Sequence, residues 1–292
     1  MIRKIAFLGT PEISKSTLSY IVNSGYEIPI VITGEDKKRG RGSSMTPSPV
    51  KELAGELGIK VSHDPTILLD TEFDLAVVVA YGKLISDALL KQGLFVNLHF
   101  SLLPRWRGAA PMERAILAGD EETGICVMKL VKELDAGPLY QVRRMPLNGE
   151  ITLSELSDQL SRLANEALGD ELAKGDGAFV TAAEQVGEPT YAHKLSVDDL
   201  RIDWEVSCEE VLRKIRLGRA WTTLHGSRFK IFSAVVSQGN SLGLSPGEIS
   251  GTMVGTASGV VELKSLQPPN KRVMTAKDWM NGMKRAQGLR FI

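Results

Sequence analysis

Cysteine is scarce in this chain: Cys126 and Cys208 are the only two in 292 residues. Two thiols so far apart supply neither a disulfide framework nor a Cys-rich zinc site, and they fit a reducing compartment. No stretch is long and apolar enough to cross a bilayer, and the opening MIRKIAFLGT carries too short an apolar run for a secretion signal. The expectation is a cytoplasmic protein without a membrane partner. Internal repeats and low-complexity tracts are also missing. Net charge is zero, which over the whole chain argues against a nucleic-acid protein.

What is present is ordinary in bulk and uneven in distribution. The chain is 43% apolar and 24% charged, and its length suits one large domain or two modest ones. Residues 1–189 hold 20 Lys and Arg against 26 Asp and Glu, whereas residues 190–292 hold 15 against 9. That asymmetry suggests two domains with different partners. A solvated basic face would give the same count.

The apolar pattern predicts an α/β layered domain followed by a smaller β-rich one. Ile2–Leu8, Tyr26–Thr33, Asp74–Ala80, Phe95–Phe100 and Gly124–Val131 read as strands, with helices between them, which implies a Rossmann-like, mostly parallel sheet. Gly9 stands alone where a dinucleotide fingerprint needs three glycines, so no nicotinamide or flavin is expected. Ile151–Lys174 is the clearest helix, opened by a Thr152/Glu155 capping box. After Gly187–Leu195, a linker or crossing strand, a helix over Ser207–Gly218 is expected. Short strands at Phe229–Val236, Gly247–Val254 and Val260–Leu266 then suggest a small barrel of the oligonucleotide-binding (OB) type. The domain reading is 1–188, a linker at 189–203, and a barrel at 204–292.

Chemistry is most concentrated in FVNLHFSLLPRWRG, residues 95–108. A strand's period of two places Asn97 and His99 on one face, and a Pro-marked loop with a cationic, aromatic turn follows. In open α/β sheets ligands sit beyond the carboxyl ends of strands, so this is a place for chemistry. From the residues alone, an Asn or His here is more often a satisfied structural residue, and Asp135 reads as the cap of the turn Lys132–Pro138. One His with an Asn and a distant Asp is a poor zinc set, and no metal is expected.

The run Asn97-Leu98-His99 with Ser101–Pro111 (SLLPRWRGAAP) resembles the folate-dependent formyltransferase family, and within it the members that formylate methionyl-tRNA. Gly9-Thr10-Pro11-Glu12, Gly40-Arg41-Gly42, Ala80-Tyr81-Gly82, Leu134-Asp135-Ala136-Gly137, Tyr191–Leu195 and Arg201-Ile202-Asp203-Trp204 extend the resemblance over nearly the whole chain. Ile13–Ser16, Ser43-Ser44 and Gly288–Ile292 depart from it. The resemblance implies Asn97, His99 and Asp135 as the catalytic trio and 10-formyltetrahydrofolate as co-substrate. That folate would lie against Ser101, Leu102, Leu103 and Pro104, and against Tyr81 and Gly82. It implies methionyl initiator tRNA as partner, met by the basic loop Lys37, Lys38, Arg39, Arg41 and by Arg213, Lys214 and Arg216 of the second half. A monomer is expected. Rival readings are a formyltransferase acting on a small amine, a folate hydrolase, and a non-catalytic RNA-binding protein.

Overall fold

The structure, a computed structural model, describes residues 2–38, 45–237, 243–283 and 288–292. The chain forms two compact units. One comprises Met1–Met112, Glu122–Pro146 and Ser157–His193; the other comprises Glu113–Glu121, Leu147–Leu156 and Lys194–Ile292.

In the first unit the described residues form a seven-stranded sheet: β1 (Ile5–Gly9), β2 (Val31–Ile32), β3 (Val61–Ser62), β4 (Leu75–Val79), β5 (Leu94–His99), β6 (Glu122–Lys129) and β7 (Leu139–Pro146). Their order is β7-β6-β5-β4-β1-β2-β3. The pairings from β3 through β5 are parallel, and β6 and β7 are added antiparallel. β1 and β4 are buried at every residue, as their unbroken apolar sequences require of strands covered on both faces. Ala6, Leu8, Ile32, Ala76 and Val78 share one cluster with Leu68, Leu89 and Phe95, the period-two face of three adjacent strands.

Helix starts follow their capping residues. Ser48 Oγ accepts the Lys51 N–H at 3.0 Å ahead of Pro49–Glu56. Thr152 and Glu155 exchange bonds of 2.9 and 3.3 Å ahead of Leu153–Leu172. Several strand expectations change. The Gly247–Val254 run is not one strand: it turns at Gly251-Thr252, with Ile249–Ser250 pairing antiparallel with Met253–Val254. Only Val31–Ile32 of the Tyr26–Thr33 run joins the ladder beyond a single bridge at Glu27, because Pro29 has no N–H to donate. β7 goes unread in the sequence, since an edge strand carrying Arg143 and Arg144 lacks an apolar run.

In the second unit six strands are described: β8 (Trp221–Leu224), β9 (Ser227–Val236), β10 (Ile249–Ser250), β11 (Met253–Thr256), β12 (Gly259–Gln267) and β13 (Met274–Thr275). The path runs β8-β9-β12-β11-β10, with β13 also on β12, and every pairing is antiparallel. The two ends of this path are joined by residues 289–292. Ile249 N–H donates to Leu289 O and Phe291 N–H to Gly247 O, both at 2.9 Å, on the β10 side. Thr223 and Ile292 exchange bonds of 3.0 and 2.9 Å on the β8 side. The sheet thereby closes into the small barrel.

Its core is aromatic. Phe291 stacks on Trp204 at 5.6 Å and on Trp279 at 5.9 Å, and meets Phe229 edge-on at 5.9 Å. The helix Cys208–Ile215, capped by Ser207, buries Cys208, Val211 and Ile215.

Phe291→Ala should remove both the ring stack and part of the closure, costing about 3–5 kcal/mol. Urea denaturation followed by tryptophan fluorescence measures this, and an unshifted midpoint would mean that residues 289–292 do not hold the barrel.

Candidate active site

β5 lies between a parallel neighbour, β4, and an antiparallel one, β6. Its last residue, His99, is 5% exposed and pairs in register with Cys126. The ring nitrogen Nε2 sits 2.9 Å from the carbonyl oxygen of Trp106. A carbonyl only accepts, so Nε2 carries a hydrogen and donates it. The other nitrogen, Nδ1, is therefore the one that can take up a proton, and it faces Asp135 Oδ2 at 3.6 Å. That same carboxylate oxygen accepts the Gly108 N–H at 2.8 Å. Asn97, two residues before His99 and half-buried, has no side-chain hydrogen-bond partner among the described residues, so its carboxamide is free to serve a ligand. The structure thus brings His99 and Asp135 together, with Asn97 on the same strand.

The loop after β5 is held in an unusual shape. Leu103–Pro104 is cis, Trp106 has a φ of 65° and Gly108 one of 116°. Ser101 is fully buried and its hydroxyl donates to Arg105 O at 2.6 Å, so that side chain is occupied within its own loop. A strap from far along the chain fixes the rest. Tyr191–Ala192 pairs in parallel with Arg107–Gly108, and Thr190 Oγ1 accepts the Trp106 N–H at 2.9 Å. A Cβ at position 108 would stand 3.0 Å from Ala192 O, which leaves only glycine at ease there.

The Asp135 turn is also held from a distance. Asp135 adopts a φ of 47°. Gln185 Nε2 donates to Asp135 O at 2.8 Å and to Gly137 O at 2.9 Å. Its Oε1 accepts from Arg107 Nη2 at 2.8 Å and Nε at 3.2 Å. Gln185, Thr190 and Arg107 are the site residues that sequence reasoning missed. Arg107 stood inside the quoted run without a role, Thr190 lies in the Gly187–Leu195 segment read as a linker or crossing strand, and Gln185 lies just before it with no local signal.

The remaining expected residues divide. Leu103 joins a small buried cluster with Cys126 and Met128, whereas Leu102 and Pro104 are half-buried. Burial raises the Cys126 thiol to about 11, so it stays neutral beside the site. Tyr81 is 5% exposed and its hydroxyl has no hydrogen-bond partner among the described residues. Burial raises its pKa. Gly82 is exposed with a φ of 77°. Lys37 and Lys38 pair with Thr46 and Met45 as the stem of a hairpin; Arg39 and Arg41 lie outside the described residues.

Of the three helix cations, Lys214 donates to Arg201 O at 2.6 Å and Arg216 donates to Gly149 O. Desolvation lowers the pKa of both. The Arg213 guanidinium lies against Gly119. No cluster of His, Cys, Asp or Glu suited to a metal occurs among the described residues, and no helix among them is long and apolar enough to cross a membrane.

Comparison with known proteins gives this arrangement its class. Residues 3–172 match the family model described as formyl transferase, and residues 194–284 match its C-terminal domain. The relatives narrow that class. A methionyl-tRNA formyltransferase of Corynebacterium aurimucosum is 38% identical, covering 96% of this chain and 94% of its own. One from an Arthrobacter species is 37% identical and covers 99% of each. A solved methionyl-tRNA formyltransferase from Clostridium thermocellum superposes with a TM-score of 0.59 at 18% identity, over 82% of this chain and 96% of its own; that is a likeness of fold. The chain belongs to the methionyl-tRNA formyltransferase family.

Gly137→Ala tests the tightness of the Asp135 turn. A Cβ at position 137 would collide with the Lys129 backbone carbonyl, so the substitution should cost about 1–3 kcal/mol. A thermal melt that matches wild type would show that the turn has room to move.

Proposed function

We propose that this chain transfers the formyl group of 10-formyltetrahydrofolate to the α-amino group of methionyl initiator tRNA, for translation initiation. The observation that carries the reading is identity of 37–38%, over nearly all of both chains, with proteins named for that activity.

The folate supplies an activated one-carbon acyl group. The residues present fit it: a free carboxamide at Asn97 in β5 and, two residues past the end of β4, a buried Tyr81 hydroxyl with no hydrogen-bond partner among the described residues. The folate would lie by Leu102–Pro104 and the Tyr81-Gly82 turn, beyond the carboxyl ends of β4 and β5. Asn97 donates its N–H to the formyl oxygen as negative charge grows there, and losing such a donor typically costs a factor of about 100 to 1,000. His99 takes the proton of the attacking amine at Nδ1, its other nitrogen being held by Trp106 O. That proton passes to the folate nitrogen as its bond to the formyl carbon breaks, which releases tetrahydrofolate. Asp135, fixed by the Gly108 N–H, favours the resulting imidazolium by charge attraction.

For the tRNA we assign the basic residues Lys37, Lys38, Arg39 and Arg41, together with the second unit. Arg213, Lys214 and Arg216 have internal contacts, so the exposed cations Arg228, Lys230, Lys271 and Arg272 are better placed to follow a phosphate backbone. Arg228 lies over the Trp221 ring at 3.8 Å, and Lys230 is the cross-strand partner of Trp221. In this reading the chain is a cytoplasmic monomer.

Transfer of labelled formyl to charged initiator tRNA tests the reaction. Wild type should transfer, and His99→Ala should lose nearly all activity with the fold intact. Label appearing as free formate in place of formylated tRNA would overturn the reading in favour of a hydrolase. For the RNA surface, Arg228→Ala with Lys230→Ala should flatten the slope of log affinity against log salt by about 0.7–0.9 per lost phosphate contact. An unchanged slope would remove that face from the interface.

A further inference from the structure

We propose that Gln185 is a positioning residue for formyl transfer: its carboxamide clamps the Asp135 turn to Arg107, so that the Asp135 carboxylate stays in reach of His99. The inference rests on the formyl-transfer reading above, and deepens it by naming what holds the third member of the trio.

The clamp uses all the polar capacity of one side chain. Both donor contacts of Nε2 go to main-chain oxygens of a single turn, Asp135 O at 2.8 Å and Gly137 O at 2.9 Å. The acceptor contacts of Oε1 go to Arg107 at 2.8 and 3.2 Å. Arg107 is 9% exposed, and its Nη1 reaches Glu133 Oε1 at 3.7 Å. Gln185 and Arg107 therefore grip residues 133–137 at three points, and Arg107 is one residue from Gly108, whose N–H holds the carboxylate.

Asp135 needs such a grip. Its φ of 47° lies in the left-handed region, which a non-glycine residue keeps only where its surroundings over-determine it. Asp135 Oδ2 stands 3.6 Å from His99 Nδ1, a spacing that a small drift of the turn would lengthen. Only a carboxamide fits the role, because the turn requires a donor and the guanidinium an acceptor. A glutamate would keep Arg107 and place an oxygen against two carbonyl oxygens.

The test compares kcat and KM for both substrates in wild type, Gln185→Glu, Gln185→Met, Asp135→Ala and the Gln185→Glu/Asp135→Ala double variant. Displacement of a catalytic group by an ångström costs up to about a hundredfold. Gln185→Glu should therefore lose between ten and a hundredfold in kcat, with both KM values within twofold of wild type. The double variant should be no slower than Asp135→Ala alone, since residues acting through one another are not additive. Gln185→Met, near in volume, should show the same loss and serves if the glutamate variant melts early.

Wild-type kcat in either folded single variant would overturn the clamp. So would a full multiplicative loss on top of Asp135→Ala, because Gln185 would then act elsewhere. A wild type that transfers no formyl sinks the functional reading itself, and is told apart because every variant would be equally silent.

Discussion

The hydrogen bond from His99 Nε2 to the Trp106 carbonyl decides what the site can do. It commits one ring nitrogen to the backbone and leaves Nδ1, beside Asp135, as the nitrogen with a free lone pair. Without it either nitrogen could turn inward, and the carboxylate would have no fixed counterpart. The bond depends in turn on where the Trp106 carbonyl points. That direction follows from a left-handed φ of 65° which the Trp106 N–H sustains by bonding Thr190. A tautomer is thus set by a threonine 91 positions away in the chain.

The sheet explains why such long connections converge there. β1 to β5 form a parallel core, whose buried apolar strands leave their carboxyl ends as a common rim. At β5 the sheet changes sense, because β6 and β7 run antiparallel. The connection between β6 and β7 leaves the sheet opposite Val96 and turns back, bringing Asp135 to the Gly108 N–H and to His99. Gly137 makes this possible by fitting against the Lys129 carbonyl. The His99–Asp135 pair is therefore held at the place where strand direction reverses, by two backbone turns that bond each other and not by the sheet alone.

Much of this was legible in the sequence, and the reason differs by residue. β1 and β4 could be read because burial on both faces demands an unbroken apolar run. Asn97 and His99 could be read because a strand's period puts them on one side, and the Thr152/Glu155 and Ser207 caps because they are local. What escaped is what distance decides. Gln185 and Thr190 bond residues 48 to 84 positions away, and no periodicity marks them. Pro29 was visible, but its effect on the second strand was not weighed. The charges of Arg213, Lys214 and Arg216 were visible as well. Their internal contacts with Gly119, Arg201 O and Gly149 O were not, since a cation occupied within the fold and one offered to a partner look alike in a sequence.

The two units share a physical device that sharpens this point. Residues 190–192 complete the Ser101–Gly108 loop of the first, and residues 289–292 close the barrel of the second. Each is a short segment, remote in sequence from what it completes, and each works through backbone pairing with a few anchored side chains. Such a segment adds few contacts by itself and orders many. Until it docks, Trp106 and Gly108 would have no reason to keep positive φ, and β8 and β10 would both remain open edges exposing unpaired backbone groups. Order in both units is therefore cooperative over long separations. Residues 289–292 close the barrel through backbone pairing, which asks little of side-chain identity beyond the Phe291 ring that fills the core.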